Sequence, residues 1–598
     1  MIKLFDLVKS FFYYLWSLIN FTRILIINII FILLISLLCY YIYNIHHQQN
    51  INNKTFKKKN QVLEINFNED LTDDSFYQNN NKLELINKFI RKDNNSILNI
   101  VQAINYAKKD KNVNGIILKL HNLNIHDLSI LRYIGKYLND FKSTGKKVYA
   151  ISDSYDQNQY YLASFANKIF LSPYGSVKLH GLSFKQFFIR DFLQKLKINT
   201  YIFRIGEYKS AVEPILRNSM SNNNKIILNK LLNNIWCDYL TTIAENRKLT
   251  FEDIFPTDQN FLISFEKSHG DLALFALENK LIDKISNNTE FEDEMIKIFS
   301  SDKNKNTYNK VDINSYIKLN INKNNIIKHR RNNISVITIN GIIMYGKNNS
   351  DIIIKAIHKV YQDPHIKGLI LRINSPGGDI QAAQAIYDEL ILLKKIHKPI
   401  VVLMGKVAAS GAYWISTAAD FIIADSSSLT GSIGIFSIIY NFSDLLNKFG
   451  IQQDGVNLSD RFNFPISRKM SKIEKRIIEL TIQNGYDKFI NVVSKERHLP
   501  IENVKKIANG MIFLGKDAVK YGLIDDLGDF DYAKLKISEL TKIKKIRLQW
   551  ENTNVLKISD LFFKKNSYII TNIINNLFSI NNMDFLNSQK TYALLLNK

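Results

Sequence analysis

The hydrophobic positions of this chain fall into two kinds of stretch that alternate. Short apolar runs rich in β-branched residues, such as "VNGIILKL" (113–120) and "IKGLILRI" (366–373), predict buried strands. Between such runs, apolar residues recur every three or four positions, as in "IQAAQAIYDELILL" from Ile380, and this period predicts helices. Strands that alternate with helices predict an α/β fold with parallel strands joined by right-handed crossovers.

The same order of elements occurs twice. The second half has predicted strands at 366–373, 399–404 and 421–425, and the first half has matching strands at 113–120 and 146–152. The stretch "YYLASFANKIFLSP" (160–173) matches "AYWISTAADFIIAD" (412–425) at a constant offset of 252. Three matched elements in the same order favour a duplication over a chance likeness of two α/β domains.

One apolar run is much longer than a strand. Ile24–Tyr43, "ILIINIIFILLISLLCYYIY", has 20 residues and no charge, which is enough to cross ~30 Å of hydrocarbon. Its apolar core is longer than that of a cleaved signal peptide and no small-residue cleavage site follows, so we predict a retained transmembrane helix. Lysines lie on both sides of it, so charge leaves the orientation open.

Polar stretches rich in Asn and Lys indicate the boundaries between units. The predicted order is an N-terminal segment 1–23, the transmembrane helix 24–43, a tether 44–60, a first α/β domain 61–300, a linker 301–331, a second α/β domain 332–545 and a C-terminal helical tail 546–598. The tail has helical apolar spacing, which fits a membrane-surface helix, a subunit contact or a packed terminal helix.

Composition narrows the classes of function. The chain has 598 residues, too many for one compact core, and a formal charge of +24 from 79 Lys and Arg against 55 Asp and Glu. The lysines are scattered among Asn and Ile without an arginine-rich, aromatic stripe, so we do not expect nucleic-acid binding. Cys39 lies in the apolar run and Cys237 far from it, and no Cys/His cluster has zinc spacing, so neither a disulfide nor a metal is expected.

Ser410 is a candidate nucleophile. It lies in "MGKVAASGAYWIS" (404–416), between a predicted strand and a predicted helix, where a serine is most often only a helix N-cap. Gly377 and Gly378 end a neighbouring strand, and Gly411 follows the serine. Backbone N–H groups at such positions can hold a developing oxyanion, although a tight turn without a ligand also explains the paired glycines.

The first half lacks these groups. The duplication places Asn158 opposite Ser410, and Asn124 and Ile125 opposite the two glycines. Only the second half therefore keeps a hydroxyl beside a glycine turn.

A serine hydroxyl needs a base, and no histidine lies between His397 and His498. A lysine can serve if desolvation lowers its pKa from ~10.4 toward ~7–8. Lys209, in "RIGEYKSAVEPILRNSMS" (204–221), lies among Tyr208, Ala211 and Val212, which is compatible with burial. Most lysines are solvated surface groups, so these neighbours alone do not decide the matter.

Four motifs together resemble the signal peptide peptidase A family, also called protease IV, in its long two-domain form. They are "GEYKSAVEP", "NSPGGD", "MGKVAASGAYWIS" and "LTGSIGI", in that order, and the resemblance spans roughly residues 20–545. It implies tandem duplicated domains with the Clp/crotonase-like ββα superhelix.

The resemblance also implies roles for individual residues. Ser410 would be the nucleophile, and Lys209 the general base that later returns the proton to the leaving amine. Gly377 and Gly411 would supply the oxyanion-hole N–H groups, and Ser432 would orient the Lys209 amine. The family needs no metal and no cofactor.

In the family, the substrates are cleaved signal peptides and other apolar peptide segments, and the enzyme is a homotetramer anchored in the lipid bilayer of the bacterial inner membrane. The resemblance thus implies a single-pass protein with residues 1–23 cytoplasmic and the catalytic domains periplasmic. Two positions depart from the family: Ala412 replaces a glycine, and Lys406 replaces a small residue near the expected substrate groove. Specificity is therefore more open than catalysis.

Two other functions remain to be weighed. A crotonase-type acyl-CoA enzyme would share the fold and the oxyanion glycines, but it would be expected neither to carry a membrane anchor nor the "GEYKS" motif. A catalytically inactive membrane scaffold would not need Lys209, Ser410 and the glycines, all of which are intact.

Overall fold

The computed structural model describes residues 14–43 with interruptions, 60–67, 96–302, 307–317, 333–346, 349–456, 458, 459, 461 and 466–551. Residues 1–13, most of the predicted tether (44–59), two parts of the predicted linker (303–306 and 318–331) and the predicted tail from residue 552 lie outside this description. Near the N-terminus lies an apolar helix, Trp16–Ser36, whose 21 residues could cross a membrane by length and composition. It begins before the predicted span.

The first half is built on a parallel sheet. Its strands are β1 (Gln61–Asn66), β2 (Val113–Lys119), β3 (Lys147–Ser152), β4 (Lys168–Leu171), β5 (Asn199–Ile205), β6 (Lys284–Ile285), β7 (Ser301–Asp302), β8 (Thr307–Tyr308) and β9 (Lys310–Asp312). Six of these strands form one sheet in the order β6-β4-β3-β2-β1-β9, and every neighbouring pair is parallel.

Helices connect these strands and cover the sheet. They are Ile97–Lys109, Leu128–Lys142, Gln157–Ala163, Arg190–Lys195, Glu213–Leu216, Asn222–Arg247, Phe251–Ile254, Asp258–Lys267, Leu272–Glu278 and Asn288–Phe299, with a 3₁₀ turn at Ser210–Val212. Many begin at a side-chain cap; for example, Ser96 and Asp127 accept hydrogen bonds from the backbone N–H groups of Asn99 and Ser129.

The second half repeats this plan. Its strands are β10 (Ile334–Asn340), β11 (Gly368–Ser375), β12 (Ile400–Ala409), β13 (Phe421–Ala424), β14 (Leu429–Gly431), β15 (Ile435–Asn441), β16 (Ile512–Leu514), β17 (Asp526–Leu527) and β18 (Leu548–Trp550). The parallel order β17-β13-β12-β11-β10-β18 is the order of the first sheet. In addition, β14 pairs in parallel with the end of β12, and β16 pairs antiparallel with β14.

The helices of the second half follow the same sequence of elements. They are Ser350–Gln362, Ile380–Lys395, Gly411–Ser416, Ser443–Lys448, Lys472–Glu496, Ile501–Ile507, Gly515–Lys520 and Phe530–Thr541. The predicted strands and helices are therefore confirmed as a duplicated, mixed α/β architecture.

Equivalent hydrogen bonds correct the alignment of the two copies by one residue. Tyr160 donates its hydroxyl proton to the carbonyl of Leu281 at 2.8 Å, and Tyr413 donates to that of Leu523 at 2.8 Å. The donors Tyr160 and Tyr413 are 253 positions apart, so the offset of 252 is wrong for this element. Ser410 corresponds to Gln157 and not to Asn158, which leaves the conclusion unchanged because neither is a nucleophile.

Both units extend beyond their predicted boundaries. Residues 310–312, which were predicted to lie in the linker, form β9 beside β1. Likewise residues 548–550, predicted to start the tail, form β18 beside β10. Each copy thus ends by adding a parallel edge strand next to its own first strand.

The two halves share a hydrophobic core. Alternate side chains of a strand point to opposite faces, and β12 uses both. Ile400 and Val402 pack within the second half, whereas Val401 and Leu403 join the core cluster of the first half. Helix Leu128–Lys142 of the first half lies against this face. The two halves therefore pack against each other through a common hydrophobic core and are not separate domains joined by a linker.

Polar contacts at this junction add specificity. Arg132 donates to Asp425 Oδ2 at 2.5 Å and to Ser426 Oγ at 3.1 Å. Burial opposes ionisation of Asp425, but the charge and hydrogen bonds of Arg132 hold the pKa of this carboxyl below its usual range. Nearby, Tyr137 donates to Asp531 at 2.6 Å.

A second contact between the halves is a two-stranded antiparallel ribbon. β5 of the first half pairs with β15 of the second, in a register that runs from Ile205 opposite Ile435 to Asn199 opposite Asn441. One face of the ribbon packs on Val212 and Ile215, and the other on Met470 and Ile478. This pairing fixes where the chain leaves β5 relative to where it enters β15.

The partly buried ion pair between Arg132 and Asp425 predicts a stability difference. Arg132→Ala should leave Asp425 without its cation in a largely buried place and lower the free energy of unfolding by about 3 kcal/mol. Lys136→Ala is the matched control, because the Lys136 side chain is 53% exposed beside Asp529 and its loss should cost no more than about 1 kcal/mol. Denaturant unfolding of the detergent-solubilised protein measures both; equal losses would contradict the assigned role of Arg132.

Candidate active site

Ser410 lies on a tight turn between β12 and helix Gly411–Ser416. Its backbone has φ 57° and ψ −123°, a conformation that a residue with a side chain rarely adopts. The turn is held by the Ser410 N–H, which donates to the Gly431 carbonyl at 2.8 Å. The Ser410 side chain makes no capping hydrogen bond to the helix, so the N-cap explanation does not account for it.

Lys209 reaches this serine from the other half of the chain. It follows β5 by four residues, and the β5–β15 ribbon brings it beside the segment that precedes β15. Lys209 Nζ lies 3.0 Å from Ser410 Oγ. The two residues, 201 positions apart, are thus in direct hydrogen-bond contact.

The Lys209 amine is in a setting that favours its neutral form. The side chain is only 5% exposed. Burial, which penalises the charged ammonium, lowers its pKa to about 7. A lysine with this pKa is largely able to accept a proton near neutral pH, as a general base must.

Three oxygen atoms surround the Lys209 nitrogen. In addition to Ser410 Oγ, the carbonyl oxygen of Ser432 lies at 2.7 Å and Ser432 Oγ at 3.0 Å. A neutral amine has two N–H donors and one lone pair. If both donors are directed at Ser432, the lone pair faces Ser410 Oγ, which is the arrangement needed to take the serine proton.

Ser432 itself is held by its backbone. Its φ of 52° is a second left-handed value in this small region, and its N–H donates to the Met511 carbonyl at 2.7 Å. Ser432 therefore contacts the lysine through both its carbonyl and its hydroxyl.

The glycine turn after β11 lies against the serine. A Cβ on Gly377 would come within 2.9 Å of Ser410 Cβ and 2.8 Å of the Gly411 nitrogen, and Gly377 has φ +98°. A Cβ on Gly378 would lie 1.9 Å from the Ile343 carbonyl oxygen. The turn needs glycine at both positions because the backbone approaches its neighbours too closely for a side chain.

The N–H groups in this turn differ in availability. The Gly377 N–H donates to the buried Ser375 Oγ at 3.1 Å. The Gly378 nitrogen lies 3.3 Å from the place where a Gly411 Cβ would be. Gly411 is the first residue of its helix, where the N–H has no partner within the helix and the dipole favours negative charge.

The equivalent position in the first half has different chemistry. The counterpart of Gly377 is Asn124, whose Oδ1 lies 2.9 Å from His126 Nε2, and His126 Nδ1 lies 2.9 Å from Asn158 Nδ2. An asparagine–histidine chain thus lies where the second half has its glycine turn and Gly411, the residue after the serine.

A segment that the sequence analysis missed completes the site. The Asn509 carbonyl accepts from the Tyr208 N–H at 2.8 Å, next to the lysine. The Gly510 N–H donates to the Ile433 carbonyl at 2.9 Å, next to Ser432. Asn-Gly is a turn signal, but nothing in the sequence relates this turn to a lysine 300 positions earlier.

The structure also shows the two positions at which the sequence departs from the family. Lys406 is exposed on β12, and Ala412 is fully buried in the helix that follows Ser410. Both cysteines are free and exposed, and within the described residues no three His, Cys, Asp or Glu side chains form a metal-binding group.

Comparison with known proteins shows the family of this chain. The sequence profile of peptidase family S49 matches residues 140–299 and 392–544, more than half of the chain, and the Clp protease profile matches residues 324–422. Protease 4 of Salmonella typhi is 36% identical over 554 residues, which cover 91% of this chain and 88% of that protein. The chain belongs to peptidase family S49.

Two further relatives of this S49 peptidase carry informative names. The chloroplastic serine protease SPPA of Arabidopsis thaliana is 27% identical over 67% of this chain and 59% of its own length. A putative signal peptide peptidase SppA of Enterococcus faecium is 36% identical over 32% of this chain and 55% of its own length. The protein is therefore a serine protease. This finding favours peptide hydrolysis over the acyl-CoA chemistry of a crotonase-type enzyme.

The burial of Lys209 predicts the pH dependence of this S49 peptidase. A general base must be neutral to accept a proton, and the pKa of Lys209 is about 7, so with Lys209 as the base kcat/KM should fall about tenfold per pH unit below pH 7 and level off above it. A lysine with its ordinary pKa would instead give activity that still rises at about pH 9. Peptide hydrolysis by the detergent-solubilised enzyme between about pH 5 and pH 9 distinguishes these profiles.

The missed turn predicts a second effect. A Cβ on Gly510 would come within 2.6 Å of the backbone nitrogen of Lys209 and 2.9 Å of its Cα, so Gly510→Ala should push the lysine segment away from Ser410. We expect a loss of about 100-fold in kcat with a modest change in KM. Gly450→Ala is the control, because this glycine also has a positive φ but a Cβ on it meets nothing within 4 Å. Equal activity of the two variants would contradict this role of Gly510.

Proposed function

We propose that this protein is a membrane-anchored serine endopeptidase that degrades cleaved signal peptides, with Ser410 as nucleophile and Lys209 as general base. The observation that carries the proposal is the contact of 3.0 Å between Lys209 Nζ and Ser410 Oγ, made by a lysine whose pKa is about 7. Membership of a serine peptidase family and a relative named for signal peptides support the choice of reaction and substrate.

The reaction begins with proton transfer from Ser410 Oγ to the neutral Lys209 amine while Oγ attacks the peptide carbonyl carbon. The carbonyl oxygen becomes an oxyanion in the tetrahedral intermediate. Protonated Lys209 then donates to the leaving nitrogen as the C–N bond breaks, which leaves an acyl-enzyme ester. Water hydrolyses this ester by the same route: Lys209 takes a proton from water and returns one to Ser410.

Backbone N–H groups would stabilise the oxyanion. One of them would be the Gly411 N–H at the N-terminus of its helix, as the family resemblance implies. For the second, the sequence analysis names Gly377, whose N–H already donates to Ser375. We therefore propose the adjacent Gly378 N–H as the second donor, with Gly377 needed for the shape of the turn.

Ser432 is proposed to hold the Lys209 amine in the productive rotamer. Its carbonyl and hydroxyl are the only polar groups besides Ser410 that bond the lysine nitrogen among the described residues. Neither carries a charge, so they orient the amine without favouring its protonated form as a carboxylate would.

The cellular setting is proposed from the apolar helix Trp16–Ser36 and the family resemblance. The protein would be a single-pass protein of the bacterial inner membrane, with its catalytic domains periplasmic and its N-terminal segment cytoplasmic. It would be a homotetramer of crotonase-like superhelical domains that takes apolar peptides released into the lipid bilayer. The exposed Lys406 is proposed to influence which peptides bind.

The test is cleavage of a detergent-solubilised signal peptide by the wild type, Ser410→Ala and Lys209→Ala. Loss of either member of the proposed dyad should lower kcat at least about 1,000-fold while the thermal unfolding of the protein remains cooperative. Asn158→Ala, at the start of the equivalent helix in the first half, is the control and should keep full activity.

The outcomes separate the alternatives. Substantial activity of Lys209→Ala would mean that another group activates Ser410. A wild type that cleaves no peptide under any condition would favour an inactive membrane scaffold.

A further inference from the structure

Glu213 is a buried carboxylate that the proposed reaction does not use. It is 5% exposed and lies four residues after Lys209. A carboxylate this deeply buried is rare unless it is hydrogen-bonded or paired. Its partners therefore indicate why it is there.

Three donors from one helix terminus satisfy Glu213. Its Oε2 accepts from the Ser221 N–H at 3.1 Å and from Asn224 Nδ2 at 3.3 Å, and its Oε1 accepts from Ser221 Oγ at 2.5 Å. Ser221 is the N-cap of the 26-residue helix Asn222–Arg247. The positive end of a helix dipole favours an anion at this place.

The chain between Lys209 and Glu213 is short and regular. Lys209 is the cap of the 3₁₀ turn Ser210–Val212, which continues directly into helix Glu213–Leu216. Val212 and Ile215 are buried in the cluster that packs on the ribbon. The backbone from Ser210 to Glu213 is helical, so its length is fixed. The hydrogen bonds that hold the Glu213 carboxylate therefore also restrain the position of Lys209.

The second half provides a natural comparison. There Ser471 caps the equivalent long helix, Lys472–Glu496, and Glu474 of that same helix accepts from the Ser471 N–H at 2.7 Å. Glu474 is also fully buried. Both halves thus place a buried carboxylate at this helix terminus, but only in the first half does it come from the segment that carries the lysine.

We propose that Glu213 is a positioning residue for the reaction: its carboxylate ties the Lys209 segment to the N-terminus of helix Asn222–Arg247 and so holds the amine against Ser410. The inference rests on the proposed role of Lys209 as the base. In this proposal helix Asn222–Arg247 helps to position Lys209, a role that the equivalent helix of the second half, Lys472–Glu496, does not have.

Glu213→Gln tests this role with little change in size. The Gln NH₂ would face a donor where the carboxylate accepts, so the contact with Ser221 and Asn224 should loosen. We expect kcat to fall about tenfold or more with KM nearly unchanged, since the substrate-binding backbone is untouched. A loosened Lys209 should also be better hydrated, so the midpoint of the acid limb of the pH profile should move upward from about 7.

Glu474→Gln is the control at the other helix terminus, where the buried carboxylate of Glu474 is in addition paired with Arg468 at 2.9 Å. It should lower the thermal stability at least as much as Glu213→Gln but leave the pH midpoint in place. If Glu213→Gln does not fold, Ser221→Gly removes one donor to Glu213 at a capping cost of only a few tenths of a kcal/mol, and Ser471→Gly is its control.

The results test the positioning role of Glu213 and the proposed Ser410–Lys209 dyad separately. A Glu213→Gln enzyme with the wild-type kcat and pH midpoint overturns the positioning role, as does an equal shift of the midpoint in Glu474→Gln. If instead Lys209→Ala keeps the activity and the pH profile of the wild type, the proposed dyad fails, and that failure is visible without any Glu213 variant.

Discussion

The antiparallel pairing of β5 with β15 is the contact on which the active site depends. It is a short ladder, but it joins the two halves next to the chemistry: Lys209 follows one strand and Ser432 precedes the other. The apolar side chains on both faces of the ribbon keep it in place, and the shared core around β12 prevents the halves from separating. A small slip of this register would move the amine out of reach of Ser410.

The packing of the two halves also buries Lys209 and so lowers its pKa. No half alone encloses the lysine; the Gly510 turn, the backbone of Ser432 and the serine turn close around it from the second half. Burial lowers the pKa of Lys209, whereas a carboxylate in contact with the amine would raise it. The positive φ values of Ser410 and Ser432 show that the backbone is strained where the two hydroxyls meet the amine.

The duplication explains how the work is divided between the halves. Both copies keep the six-stranded order and the buried carboxylate at the start of the long helix. The second copy keeps the glycine turn and the serine, while the first has Asn124 and Gln157 at the corresponding places. The first copy instead carries Lys209, the proposed base, and the Glu213 contact connects the lysine segment to the long helix of that copy.

The sequence by itself determined the alternation of strands and helices, the duplication, and the residue types for acyl transfer at 377–378 and 410–411, because periodicity and glycine turns are local properties. The sequence comparison aligned the two copies one residue out of register around Ser410. Matching residue types alone does not reveal that Tyr160 and Tyr413 make equivalent hydrogen bonds. Only the tertiary structure decided that Lys209 is buried, which residues surround it and that the Gly377 N–H is engaged by Ser375. Burial and hydrogen-bond partners depend on segments that are hundreds of residues apart, so no local pattern in the chain encodes them.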